Sequence, residues 1–205
     1  FCPPEEFHTG NIRMLSQLEP LGALGDLGWY TISFSLWAMW PRLPEAVTGR
    51  LLVAKAAAGS AAPVPVEFSG ELFWRGEPAA SASFFCSFLI DHQQWVHVSG
   101  PRGSVRADDF VLPYLGNHVT FTVSTPEFVL DGCDFRMERH DRQITIDEYS
   151  NGHPSAQETN LFRHFSQLVL SGRREDAWPE AALAVQRVML ACVASAHDNS
   201  RERGL

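Results

Sequence analysis

Lysine is almost missing from this chain of 205 residues; Lys55 is the only one. The remaining basic residues are scattered, and their single adjacent pair, Arg173-Arg174, is followed at once by Glu175-Asp176. With a formal net charge of −8, the basic stripe of a nucleic-acid binder is excluded, and so is adhesion to an anionic membrane. Cysteine is also scarce. Cys2, Cys86, Cys133 and Cys192 stand too far apart for any C-x-x-C metal or redox motif. Cys86 and Cys192 fall in apolar runs and are expected as buried free thiols. That usage fits a reducing, cytoplasmic setting better than secretion, with an organelle left open. No apolar run reaches the length of a membrane span, and the opening "FCPPEEFHTG" has neither the basic nor the apolar region of a signal peptide. A start at Phe1 rather than methionine is what a processed protein, an excised domain or an incomplete gene model would give. G-x-S-x-G, the P-loop, H-E-x-x-H and G-x-G-x-x-G are all absent. The eight histidines show no metal-ligand spacing, so no metal is expected.

What is present is ordinary globular composition, 45% hydrophobic and 20% charged, which leaves only the tail 198–205 as a candidate for disorder. Residues 1–21 form an irregular lead-in with Pro3, Pro4, Gly10 and Pro20. A single domain is expected over 22–197. It begins with a helix over 22–40, stopped by Pro41 and largely buried through Ile32, Phe34, Leu36, Trp37 and Met39. From about 46 to 149 short apolar runs alternate with turns at Gly59-Ser60, Gly76-Glu77-Pro78, Gly100-Pro101-Arg102-Gly103 and Gly116-Asn117, the pattern of a mainly antiparallel sheet. Two helices follow. Ser155-Ala156-Gln157-Glu158 reads as a capping box, and it introduces a stripe of Leu161, Phe162, Phe165, Leu168 and Val169 that ends near Gly172. Pro179 opens the last helix, with Ala182, Val185, Met189, Cys192 and Ala196 on one face. This order predicts an α+β fold, a large open antiparallel sheet with helices on one face. "SFFCSFLI" puts apolar groups on both sides of its strand, so the uncovered face is expected to meet a second copy or another domain.

The densest chemistry lies in "GALGDLGWYTISFSLWAMW". Asp26 and Tyr30 are four apart and share a helical face, continued by Ser33 and Trp37. A carboxylate beside a phenol can act as an acid–base or proton-relay pair, although a phenol working near neutrality needs a neighbouring cation. The plainer alternative is an aspartate favoured by the helix dipole next to a half-buried tyrosine. Gly22, Gly25 and Gly28 strip side chains from one flank of the first turns, which admits either a close backbone or a flat ligand. Asp108 and Asp109 are adjacent on a predicted strand and point to opposite faces, against a joint role.

"GALGDLGWY" resembles the glycine-rich segment that opens the C-terminal domain of the glucose–fructose oxidoreductase, inositol dehydrogenase and rhizopine catabolism (Gfo/Idh/MocA) family. "NIR" at 11–13, "DDFVLP" at 108–113, Gln157 with "LFRHFSQLVLSG", and "WPEAALAVQRVMLACVASA" at 178–196 extend the likeness, in order, over nearly the whole chain. The tyrosine form with "DDFVLP" is most similar to the dihydrodiol dehydrogenase-like branch. The resemblance implies the substrate-binding and dimerisation half of an oxidoreductase that moves a hydride between NAD or NADP and a sugar, polyol or diol carbinol. It implies a homodimer through the open sheet face. It implies catalytic roles for Asp26 and Tyr30, substrate contacts from Arg13 and Ser33, and a cofactor contact at Gly25. The family's N-terminal Rossmann domain and its E-K-P lysine have no counterpart in these residues, so the chain alone is not expected to transfer hydride. The other class left open is a stand-alone, non-enzymatic dimerisation or ligand-binding domain.

Overall fold

The computed structural model describes residues 11–112, 117–148 and 153–205. Cys2 and residues 1–10 of the expected lead-in lie outside them, as do Pro113 and Gly116. In chain order the elements are a 3₁₀ turn Ile12–Met14; a π turn Leu24–Gly28 running into α1 (Trp29–Met39); the strands β1 (Ala46–Lys55), β2 (Val64–Trp74), β3 (Ala80–Ser87), β4 (Val96–Gly100), β5 (Gly103–Ala107), β6 (His118–Asp131) and β7 (Asp134–Asp147); the helices α2 (Gln157–Ser171) and α3 (Ala177–His197); and the short strand β8 (Arg203–Gly204). The fold is α+β, with its strands in two four-stranded antiparallel sheets. The chain divides into two compact units: the stretch as far as Ile90 together with Asp176–Leu205, and Asp91–Glu175. No helix among the described residues is long and apolar enough to cross a membrane.

In the first unit the sheet order is β3-β2-β1-β8. Strand β2 alternates strictly, and Val64, Val66, Phe68, Leu72 and Trp74 are buried on one face, the period-two signature of a half-covered strand. Phe84 and Cys86 of β3 extend that face, opposite Gly70 and Phe68. Ile32 and Leu36 of α1 join it, with Ala184, Val185, Val188, Met189 and Cys192 of α3. The valine, leucine, isoleucine, methionine and phenylalanine side chains among these contribute about 1.5–3 kcal/mol each by leaving water. Helix α3 rests directly on β1 at Gly49, where an added Cβ would stand 2.0 Å from the Cys192 carbonyl oxygen. There Ser195 Oγ accepts the Gly49 N–H at 3.0 Å and donates to the Arg201 carbonyl.

Several expectations are revised in this unit. Trp37 is exposed rather than buried, because the core-facing stripe of α1 runs through Ile32 and Leu36, and the residue after Leu36 turns away from it. Ala182 is likewise exposed, a turn ahead of the packed stretch of α3. The tail is ordered: Arg203 and Gly204 pair with Val47 and Ala46, and Arg203 is held to Asp198 at 2.8 Å. The outer face of the sheet is mostly polar, carrying Thr48 and Arg50, Ser69 and Glu71, Ser81 and Ser83. Of the two-sided run "SFFCSFLI", only Phe85 projects an exposed apolar side chain from that face of β3; Leu89 and Ile90 lie past the strand end.

In the second unit the order is β4-β5-β6-β7. The run "FRMERH" and the first six residues of "RQITIDEY", as far as Asp147, belong to one continuous strand, β7, and β6 runs on through Pro126 to Asp131; Tyr149 lies outside the described residues. Beyond Ser124 strand β5 no longer accompanies β6, so a residue without an N–H is tolerated there. The hairpin turns at Gly132, with φ +61°. The capping box does not form. Helix α2 starts one residue later, with Ala156 at its N-cap and no side-chain bond, while the Ser155 hydroxyl lies 2.8 Å from His153 Nδ1. Gly172 closes α2 in the left-handed conformation, φ +65°. Of its apolar stripe Leu161, Phe162, Phe165 and Val169 are exposed and Leu168 is half-buried.

Candidate functional site

Asn11 Oδ1 accepts the Arg13 N–H at 3.0 Å and caps the 3₁₀ turn. Met14 then inserts beside Val64 and Val66 in a small apolar cluster. Ser16 and Gln17 tie the following residues to the β1–β2 loop: Ser16 N–H donates to Ser60 Oγ at 3.0 Å and Gln17 Nε2 to the Gly59 carbonyl at 2.9 Å. Arg13 therefore projects from an anchored turn.

Its guanidinium meets Asp26. Nε lies 2.6 Å from Asp26 Oδ1, a close ion pair, although that N–H has no aligned hydrogen-bond acceptor. Asp26 holds the Arg13 pKa above its ordinary value, with smaller contributions from the nearby Tyr30 and Glu19 and partial burial opposing them. Asp26 sits inside the π turn, a feature that widens a helix locally and recurs at functional sites. Tyr30 follows in the first turn of α1 with its ring half-exposed. The structure thus brings Arg13 to Asp26 and Tyr30, the pair that the sequence places four apart at the helix start. Ser33, half-buried, lies one turn further along α1. Exposed apolar side chains, among them Ile12, Leu18, Trp37 and Trp40, belong to the same stretch.

The three glycines have separate explanations. Gly22 has φ +50°, and a Cβ there would sit 2.1 Å from the Pro65 carbonyl oxygen of β2. A Cβ on Gly28 would meet Leu24 at 2.8 Å and Cys86 Sγ at 3.5 Å. Both are packing glycines, the close-approach reading of the two that the sequence leaves open. Gly25 differs: its flank faces the flexible end of Glu19, with Oε1 2.4 Å from an added Cβ, and that same oxygen accepts the Leu21 N–H at 3.1 Å. Glu19 is the member of this cluster that the sequence pattern does not single out. Its only signal is an acidic residue just ahead of a helix start.

Of the other candidates, Asp108 lies just past β5 and pairs with Arg106 at 2.9 Å, and Asp109 bridges to Gln94; they do not act together. Cys86 and Cys192 are buried free thiols, each pushed up to about 12 by desolvation. Sequence spacing puts no histidine with other metal ligands, yet strand pairing gathers His140 with Glu127 and Glu138 on the β6–β7 hairpin, their ligand atoms within 4.8 Å. Glu138 is already engaged there by Arg136 at 2.8 Å.

No family model matches the sequence. Solved structures do share its fold. A protein of Desulfitobacterium hafniense DCB-2, assigned as an NADPH-dependent oxidoreductase, superposes with a TM-score of 0.65 at 17% identity, covering 96% of this chain and 51% of that one. GenD2 from gentamicin A biosynthesis, solved in complex with NAD, gives a TM-score of 0.65 at 19% identity over 95% of this chain and 51% of its own. The chain therefore shares its fold with these two proteins and spans about half of their length.

Proposed function

We propose that this chain is the substrate-binding half of an NAD(P)-dependent oxidoreductase of the Gfo/Idh/MocA type, acting on a CH–OH group of a sugar, polyol or diol. One observation carries the proposal: Arg13, Asp26 and Tyr30 converge at a helix start in a fold shared with nicotinamide-dependent proteins. The residues fit a carbinol. The guanidinium donates, the carboxylate accepts, and the phenol can do either, which matches a substrate bearing several hydroxyls.

A bound nicotinamide would supply the hydride acceptor. These residues contain no glycine-rich phosphate loop, so the pyrophosphate would be held by a segment or chain beyond them. A nicotinamide contact at Gly25 requires Glu19 to swing aside, and Glu19 is free to do so at the cost of one backbone hydrogen bond. Tyr30 moves the proton at the substrate oxygen. Asp26 accepts a substrate hydroxyl and Arg13 fixes the Asp26 carboxylate, with its charge available to a developing alkoxide. Ser33 lies one turn along for a further hydroxyl.

The test is NAD- and NADP-dependent turnover of a panel of sugars, polyols and vicinal diols by the full-length gene product. Tyr30→Phe is expected to lower kcat by about 100-fold or more. Turnover close to wild type would remove the phenol from the chemistry. Saturable ligand binding without turnover on any cofactor would favour the non-enzymatic ligand-binding domain instead.

A further inference from the structure

The exposed side of α1 does not end at Tyr30. Seven residues make almost two full turns of an α-helix, so Trp37 returns to the bearing of Tyr30, about 10 Å further along the axis. Ser33 and Phe34 lie between them. Tyr30 is 46% exposed and Trp37 73%, more than any other tryptophan among the described residues. The half-buried Phe34 packs beside the indole, with ring centroids 5.5 Å apart and planes tilted by 48°. Tryptophan is highly buried on average, and this one stands open on the side of the helix that carries the proposed chemistry.

The hydroxyls of the helix sort in the same way. Thr31 Oγ1 donates to the Gly28 carbonyl at 3.0 Å and Ser35 Oγ to the Thr31 carbonyl at 2.8 Å, the back-bonding common within helices. Ser33, on the Tyr30–Trp37 side, makes no such bond among the described residues. The track therefore reads phenol, unengaged hydroxyl, open indole. Aromatic faces interrupted by a few placed polar groups are the lining of a small-molecule site. They match a ligand that is apolar on its ring faces and hydroxylated around its edges.

We infer that Trp37 is the platform for a second ring of the substrate, joined to the reacting sugar through one glycosidic oxygen. The inference rests on the oxidoreductase reading above and narrows it: among sugars, polyols and diols, the substrate is a ring-bearing glycoside. Spacing makes the choice. The reacting carbinol sits at the Tyr30 phenol, and about 10 Å is farther than its own ring reaches. A small diol leaves Trp37 unused, and an open-chain polyol has no ring face to lay on it. A ring one glycosidic bond away lies over the indole, with the linkage passing Ser33. Stacking there is remote from the reacting bond and equal in ground and transition states, so it acts on KM and not on kcat. A pyranose and an aryl group both present the apolar face that this contact uses.

Steady-state kinetics of the full-length gene product test it, on the methyl glycoside, a disaccharide and the phenyl glycoside of one sugar, at saturating nicotinamide cofactor. In wild type a ring-bearing glycoside is expected to show a KM about tenfold below that of the methyl glycoside at similar kcat. An advantage for the disaccharide identifies the second ring as a saccharide; one confined to the phenyl glycoside identifies it as an aryl group. Trp37→Ala, a change at an exposed position, is expected to collapse the tenfold KM ratio to near one, and Trp37→Phe to keep most of it, a pattern that loss of folding would not produce. Equal KM for all three glycosides in wild type, a Trp37→Ala variant that moves all three by the same factor, or turnover confined to open-chain polyols and small diols would overturn the inference and leave the reaction in place. No turnover of any sugar, glycoside, polyol or diol with either cofactor would instead remove the oxidoreductase reading, and the inference with it.

Discussion

Asp26 shows how a residue can be well placed and still contribute little to stability. Its ion pair with Arg13 is short but partly open to water, and such pairs contribute about 0–1 kcal/mol. Asp26→Asn is therefore expected to shift the urea midpoint by the equivalent of less than about 1 kcal/mol while lowering kcat/KM at least about tenfold, the loss of one charge-assisted contact. If stability falls steeply instead, the pair is structural and the proposed role of Asp26 fails. Gly25 allows a complementary measurement. Its flank meets first the movable end of Glu19, with Leu21 Cβ 3.0 Å away behind it, so Gly25→Ala should fold with a small local shift at Leu21. A raised KM for the nicotinamide cofactor, with kcat held, would show that the cofactor passes this flank; an unchanged KM would place it elsewhere.

Elements obey firmer rules, because backbone cannot step aside. An added Cβ at Gly49 would stand 2.0 Å from the Cys192 carbonyl oxygen and 2.6 Å from its carbon, so helix α3 must lift from β1. Gly49→Ala is expected to cost on the order of 3 kcal/mol, read as a fall in the midpoint of chemical denaturation; a shift within 0.5 kcal/mol, the usual range of a neutral surface change, would refute the close approach. Ser155→Ala is expected to cost less than the roughly 1 kcal/mol of a true N-cap, since the Ser155 hydroxyl bonds His153 and caps no helix N–H. These two positions mark how far the sequence is legible. Strand β2 and the buried face of α3 show in periodicity, and Gly172 shows as a helix stop. Gly49 sits inside a strand pattern with nothing nearby to announce a helix overhead. The junction of "FRMERH" with "RQITIDEY" is polar enough to imitate a loop, and Pro126 imitates a break, because strand pairing is a non-local fact. The Arg13–Asp26 pair was visible only as two separate candidates thirteen positions apart, and the π turn beneath Asp26 leaves no trace in spacing rules built on the α-helix.

For the molecule as a whole, the two buried thiols and the exposed one among the described residues report on different units. Cys86 comes from β3 and Cys192 from α3, and both enter the core of the first unit. Cys133 lies at the exposed tip of the β6–β7 hairpin in the second. Burial disfavours the thiolate and raises Cys86 and Cys192 from 9.0 to about 12. A group whose folded pKa is raised binds its proton more tightly in the native state, so its contribution is complete below the unfolded value and is lost as pH rises through the folded one. Stability should therefore decline between about pH 9 and pH 12, and Cys86→Ala with Cys192→Ala should flatten that decline relative to wild type. Alkylation mapped by mass spectrometry at pH 8 reports on the same burial. Cys133 should be modified in the native protein, and Cys86 and Cys192 together only once denaturant opens the first unit, because sheet and helix close over both. Modification of Cys192 at the rate of Cys133 would mean that α3 leaves β1 in the native state, and the packed first unit from which Arg13, Asp26 and Tyr30 are positioned could not then be rigid.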